Sequence, residues 1–200
     1  MAKIIVPVGF DNGPRYAADE SETDHYEIIA SPGQSFDLPD DAYRVWVLAF
    51  ADLEAHRDLA FTRERLVKLA AAGPETPEQV EMIVEGLVSG GALAEYEPGT
   101  ASALDFLRGH RLYPFAEGMG STREKPEMFR IGRNGEVLLE VYSDIYSIWS
   151  LNLDSPDIWT MIEWFCEPPS PLTADETGFM FAQVVPTLLA LRLGYLRQSS

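Results

Sequence analysis

FRIGRNGEVLLEVYSDIYSIW, residues 129–149, aligns beneath YEIIASPGQSFDLPDDAYRVW, residues 26–46, at a constant offset of 103. Phe129 falls under Tyr26, Ile131 under Ile28, Leu139 under Phe36 and Val141 under Leu38. Asp144, Tyr146 and Trp149 fall under Asp41, Tyr43 and Trp46. At the far end the same offset sets Gly194 under Gly91 and Leu196 under Leu93. Matched aromatics, a matched tryptophan and a matched glycine–leucine pair in one register point to an internal duplication.

Within each copy the pattern is a hairpin followed by helices. Asn134 and Gly135 separate two apolar segments, and both tolerate the positive φ of a tight hairpin turn. In the first copy the turn is the longer run Ser31, Pro32, Gly33, Gln34. Helix one follows. Asp40 or Asp41 caps residues 42–53, and Ser143 or Asp144 caps residues 145–151. Tyr43, Trp46, Val47 and Phe50 recur at helical spacing, as do Tyr146, Trp149, Ser150 and Leu153. The plain role of these aromatics is packing against the hairpin. His56 reads as the end of helix one.

Helix two spans residues 62–71 in copy one. In copy two Ser155 caps it, Pro156 takes its first position and it runs to Phe165. Trp159 and Trp164 flank its apolar stripe and are expected at the surface. Helix three begins with the capping boxes Thr76/Gln79 and Thr173/Glu176. It stops at Gly90–Gly91 and at Gly194, and Pro186 is expected to bend the second one. Short strands at 93–96 and 195–197 leave it and are expected to pair with the hairpin.

These elements predict an α+β fold of two tandem winged-helix-like modules, 24–97 and 126–200. Each is a β-hairpin, three helices and a short closing strand. Residues 98–125 read as a linker carrying a short helix at 102–109. Residues 3–8 read as a strand, and 9–23 as a loop or arm.

Charge narrows the function. The chain carries 32 acidic and 15 basic residues, a formal net charge of −17. Residues 24–97 hold 15 acids and 5 bases, and residues 126–200 hold 10 and 4. That disfavours a general affinity for nucleic acid, because each phosphate contact needs a cation. The third helices expose Glu78, Glu81 and Glu85 in copy one and Asp175 and Glu176 in copy two. Arg57, Arg63, Arg65 and Lys68 form the local nucleic-acid patch, and their plain reading is charge pairing along helices, such as Glu64 with Lys68. A winged-helix DNA-binding regulator is therefore the alternative function.

Catalytic signals are sparse. His25, His56 and His110 form no ligand spacing and read as surface or boundary residues. Ser121 and Ser147 lack a nucleophile-elbow frame. The glycines form no phosphate cradle. Lone Cys166 forms no intrachain disulfide and reads as a half-buried structural thiol. The acids Asp37, Asp40 and Asp41, and Asp19, Glu20 and Glu22, read as solvated charge. No cofactor or metal is assigned, and an enzyme with an unrecognised site is the second alternative. No targeting or membrane segment is visible, so a cytoplasmic setting is expected.

The favoured function is a non-catalytic adaptor or regulator that binds another protein or an extended, basic peptide. An open sheet edge accepts such a segment by main-chain hydrogen bonds. Trp159 and Trp164 are its candidate aromatic anchors, with Val137, Leu139, Val141, Glu78, Glu81 and Glu85 as further partner-binding residues.

Copy two, from residues 136–139 (EVLL) through 145–149 (IYSIW) to Leu188, Leu189 and 194–196 (GYL), resembles the small winged-helix peptide chaperones of quinone-cofactor biosynthesis, the PqqD-like domains. Copy one is similar but less close. The resemblance implies leader-peptide binding along a strand edge, with residues 137–141 and the third helix flanking the peptide. The insertion at 168–171 and the doubled unit depart from a minimal chaperone.

Overall fold

The computed structural model describes residues 2–18, 21–31, 33–168 and 171–199. Asp19 and Glu20 of the acidic cluster, Pro32 of the first hairpin turn, and Pro169 and Ser170 of the insertion lie outside the described residues. The fold is α+β, with two modules that each combine sheets and helices.

The first half runs β1 (Ile4–Pro7), β2 (Phe10–Tyr16), β3 (Thr23–Ser31), β4 (Gln34–Leu38), α1 (Asp40–Leu48), α2 (Leu53–Arg57), α3 (Arg63–Ala70), α4 (Pro77–Gly90) and β5 (Leu93–Tyr96). A connecting helix α5 (Ala101–Gly109) leads to β6 (His110–Pro114), β7 (Glu117–Ser121), β8 (Met128–Arg133) and β9 (Glu136–Tyr142). Then come α6 (Ser143–Leu151), a 3-10 turn at Asn152–Asp154, α7 (Ile158–Phe165), α8 (Ala174–Ala190) and β10 (Gly194–Gln198).

The hairpins form in matching register: Ile28 opposes Phe36, and Ile131 opposes Leu139. Tyr26 stacks on Tyr43 at 3.8 Å between ring centres, and Phe129 packs on Tyr146 at 4.8 Å. Both tryptophans are buried and hold the same kind of carbonyl. Trp46 Nε1 donates to Ala92 O and Trp149 Nε1 to Leu193 O, each at 3.1 Å. Each carbonyl also receives a strand amide, from Val8 and from Phe115, at 2.9 Å. The indole thus ties helix one to the point where the closing strand meets the first strand.

Three expectations change. First, each hairpin gains a third strand, giving the orders β2-β3-β4 and β7-β8-β9. The supposed arm at 9–23 contains β2, and the supposed linker contains β6 and β7, so the repeated units begin near residues 4 and 110 rather than 24 and 126. The strand FDNGPRY of β2 and EGMGS of β7 carry little apolar alternation. Main-chain pairing and polar cross-strand contacts hold them instead, with Asn12 and Arg15 of β2 donating to Glu27 of β3, and Gly118 lets β7 lie directly against the Tyr146 hydroxyl, where a Cβ has no room.

Second, the closing strands pair with the first strand of their own half and not with the hairpin. Pro7 opposes Leu93, and Pro114 opposes Gly194. The helix-ending bonds Ala92 N→Leu87 O (2.9 Å) and Leu193 N→Leu188 O (2.8 Å) are equivalent, so the offset here is 101 and not 103. Arg192, not Gly194, occupies the place of Gly91. Both are left-handed, with φ of 52° and 81°.

Third, helix one of the first half ends at Leu48. Asp52, left-handed at φ 62°, opens the separate helix α2 by accepting from Ala55 N at 3.3 Å. His56 belongs to α2. The Thr76/Gln79 capping box forms as read. At Thr173 the side chain accepts from Glu176 N, but Glu176 accepts from the Thr173 hydroxyl instead of the backbone. Thr62 caps α3, and Asp157 rather than Ser155 caps α7. Pro39 and Tyr142 occupy the cap positions of α1 and α6, without side-chain caps.

The β1–β5 ribbon joins the two cores. Ile5 and Leu93 pack with Ile28, Trp46, Phe61 and Val84 of the first. Ile4, Val6, Val8 and Tyr96 pack with Trp149, Ile158, Phe181 and Leu188 of the second. Alternate residues of a strand face opposite sides, so a ribbon buried on both sides needs an uninterrupted apolar run, and β1 is Ile-Ile-Val-Pro. The junction also resolves Pro186, through which α8 continues. Proline has no N–H to give the carbonyl four residues earlier. Tyr96, from the other half, donates its hydroxyl to that carbonyl, Ala182 O, at 2.6 Å.

Candidate functional site

β9 is the outer strand of its sheet, and among the described residues no strand pairs with its far side. Beside it runs a groove of about 310 Å³. Leu139, Glu140 and Val141 of β9 form one wall, and Gln183, Val184 and Thr187 of α8 form the second. Arg57 and Leu59, at and just past the end of α2, close it from the first half.

Each wall has a local cause. Phe181, Val185, Leu188 and Leu189 are the fully buried face of α8. Gln183, Val184 and Thr187 lie beside that face, one turn apart, and so border the groove. Leu59 has φ 54°, a conformation that ordinarily favours glycine after a helix. It ends α2 through Leu59 N→His56 O (3.3 Å) and Ala60 N→Ala55 O (2.8 Å). Its side chain packs on the core of the second half, a contact glycine cannot make. The Arg57 guanidinium has no carboxylate partner among the described residues.

Of the expected partner-binding residues, Val137, Leu139 and Val141 fall together on β9. Val137 is 40% exposed, Leu139 half-buried and Val141 buried. Trp159 is corrected: it is only 9% exposed, with the Arg108 guanidinium 4.3 Å from its ring and Gly178 of α8 packed closely against it. It is a core residue and not a surface anchor. The helix stripe of α7 is wider than its spacing suggested, because α5 and α8 both pack on it. Trp164 is 49% exposed, as expected, but does not line the groove.

Glu78, Glu81 and Glu85 are exposed on α4. The last two are turned toward Arg63, at 3.7 and 2.6 Å. Arg63 also makes a two-pronged bond to Glu95, 2.9 Å on each side. Arg65 is held by Asp52. Two of the four members of the proposed nucleic-acid patch are therefore already neutralised by carboxylates, and Arg57 belongs to the groove. Lys68 remains exposed, and no Glu64–Lys68 ion pair forms among the described residues.

His56 is also corrected, while His110 sits at the α5–β6 boundary, half-buried. His56 is buried against Phe61, its ring 4.1 Å from the phenyl ring, with Nε2 3.1 Å from Ala49 O. Burial pushes its pKa down to about 4, so it is neutral at pH 7. Burial also lowers His110, whose Nδ1 donates to Phe106 O at 2.8 Å. His25 lies within β3, near Asp24 and Asp37. Cys166 is half-buried, and its Sγ donates to Thr177 Oγ1 at 3.3 Å. Among the described residues no three His, Cys, Asp or Glu side chains gather as a metal site, and no helix is long and apolar enough to cross a membrane.

The sequence pattern marks Arg57 only as part of a nucleic-acid patch and gives no sign of Leu59, Val184 or Thr187 at a groove. The helical phase of 181, 185 and 188 could have placed Val184 and Thr187 at the border of the buried face. Nothing local links α2 to a groove in the other half. No family model, no curated protein and no solved structure matches the chain.

Proposed function

We propose that the chain is a non-catalytic peptide-binding protein, and that an extended segment of its partner adds to the free edge of β9. The observation that carries this is the groove between β9 and α8, because an edge strand supplies main-chain donors and acceptors beside a partly apolar wall. Leu139 and Val184 offer contact for alternate side chains of a strand-like ligand. Arg57 offers a hydrogen-bond fork for one of its carbonyls or carboxylates.

A net charge of −17 and the exposed Glu136 favour basic residues flanking the bound stretch. The likeness of each half to winged-helix peptide chaperones belongs to the same proposal, with β9 and α8 of the second half as the strand and third helix that would flank the peptide. A cytoplasmic setting belongs to it too, in keeping with a lone reduced cysteine.

The test is selection from a random peptide library on the intact chain. Gln183→Lys and Val184→Arg serve as groove variants, with melting temperature as the folding control. Gln183 is exposed, so its substitution leaves the core alone. Wild type is expected to enrich extended, basic-flanked peptides whose affinity falls about tenfold or more in the variants. No enrichment, or peptides that bind Gln183→Lys and Val184→Arg as well as wild type, contradicts the proposal.

A further inference from the structure

A second cavity, about 250 Å³, opens where the two halves meet on another side of the molecule. Phe10 and Phe50 enter it from the first half, and Phe115, Tyr195, Arg133 and Arg192 from the second. Phe10 lies 4.9 Å from Tyr195 and 5.8 Å from Phe115, measured between ring centres. Phe115 is largely exposed. The Arg192 guanidinium lies 4.3 Å over the Phe50 ring.

Two features separate this cavity from a plain seam. One is charge. Arg133 donates to two carbonyls, Phe115 O at 3.0 Å and Arg192 O at 2.7 Å, and neither arginine has a carboxylate partner among the described residues. Asp11, the acid at the rim, is occupied by the Tyr43 hydroxyl at 2.8 Å and by Gly13 N at 3.0 Å. Asp11 keeps its charge while accepting those bonds, so two guanidiniums face one carboxylate, and in a chain with more than twice as many acids as bases the cleft is locally positive against aromatic walls.

The other feature is the comparison of the halves. The left-handed residue after the third helix is Gly91 in one and Arg192 in the other. Glycine takes that conformation without steric cost, and arginine does not. A strained residue held where a relaxed one would serve marks a position at which its side chain is needed.

We propose that this cleft binds a small aromatic anion, its ring against Phe10, Phe115 and Tyr195 and its carboxylate on Arg192. Guanidinium pairs with a carboxylate through two parallel hydrogen bonds, and the cavity volume limits the ligand to one or two fused rings. The ligand is distinct from the peptide of the β9 groove, and the site stands whether or not that groove is occupied.

Calorimetric titration of the intact chain tests it, with indole-3-carboxylate as probe, neutral indole and inorganic phosphate as comparators, and Arg192→Gly as the variant. Wild type is expected to bind indole-3-carboxylate at least about tenfold more tightly than indole or phosphate. Arg192→Gly is expected to lose that preference while its melting temperature holds or rises. If arginine were there only to join the halves through Phe50, Arg192→Gly would melt lower and bind the probe unchanged. That result overturns the proposal, as does an absence of binding by wild type at millimolar probe or equal affinity for indole.

Discussion

Tyr96 and Pro186 form a pair whose energetics are readable from one contact. Tyr96 has no exposure, and its hydroxyl is 2.6 Å from the Ala182 carbonyl that Pro186 leaves without an amide. Tyr96→Phe keeps the ring and its stacking on Phe106, 4.1 Å away, and strands that carbonyl in the core. An unsatisfied buried acceptor costs about 1–3 kcal/mol, so a loss of about 2 kcal/mol is expected. Pro186→Ala restores an N–H in reach of the same carbonyl. In that background Tyr96→Phe should cost less than about 1 kcal/mol, a coupling of about 1 kcal/mol or more. Urea unfolding of the four chains, with equal slopes confirming a common transition, measures it. A cost for Tyr96→Phe that is the same in both backgrounds would refute the argument that the hydroxyl substitutes for the missing amide.

Three further outcomes follow from the packing and charge. His56 titrates near 4 when folded and near 6.5 when unfolded, so the unfolded chain binds more protons between those values. Its contribution is present in full above pH 6.5 and is lost as pH falls toward 4. At about 1.4 kcal/mol per pH unit this is about 3 kcal/mol, and half-buried His110 adds to it with the same sign. Urea unfolding at pH 7.5 and 4.5 shows whether that loss occurs and whether His56→Phe flattens it. Trp159→Ala should destabilise by about 3–5 kcal/mol and Trp164→Ala by less than about 1 kcal/mol, and thermal melts that rank them the other way would contradict their assigned burial. Duplex DNA should show no salt-sensitive binding in fluorescence anisotropy. Affinity that falls on Arg63→Glu would mean Arg63 leaves Glu95 and Glu85 for phosphate.

The duplicated hairpin and helix one were legible because their signals are local. Asn134–Gly135 dictates a turn, and Tyr43, Trp46, Tyr146 and Trp149 repeat at helical spacing beside it. Thr76 and Thr173 cap their helices by reaching only three residues ahead. Partner choice was not legible. β5 and β10 pair with strands far away in sequence: Tyr96 opposes Ile4, 92 residues earlier, and Gly194 opposes Pro114, 80 residues earlier. β2 and β7 pair through their backbones and through polar side chains such as Arg15 on Glu27, so neither carries an apolar alternation. Arg192 defeated the alignment because it stands in a conformation that glycine usually marks. Of the groove, the β9 wall was legible, while Arg57 and Leu59 come from the other half, and no local pattern links them to β9.

The most direct measurement is intermolecular nuclear Overhauser contact between isotope-labelled protein and a peptide enriched by library selection. The account predicts cross-strand contacts from the peptide backbone to the residues of β9, with side-chain contacts to Val184 and Thr187. Contacts confined to β4, to Trp164 or to the acidic face of α4, with β9 unperturbed, would contradict it.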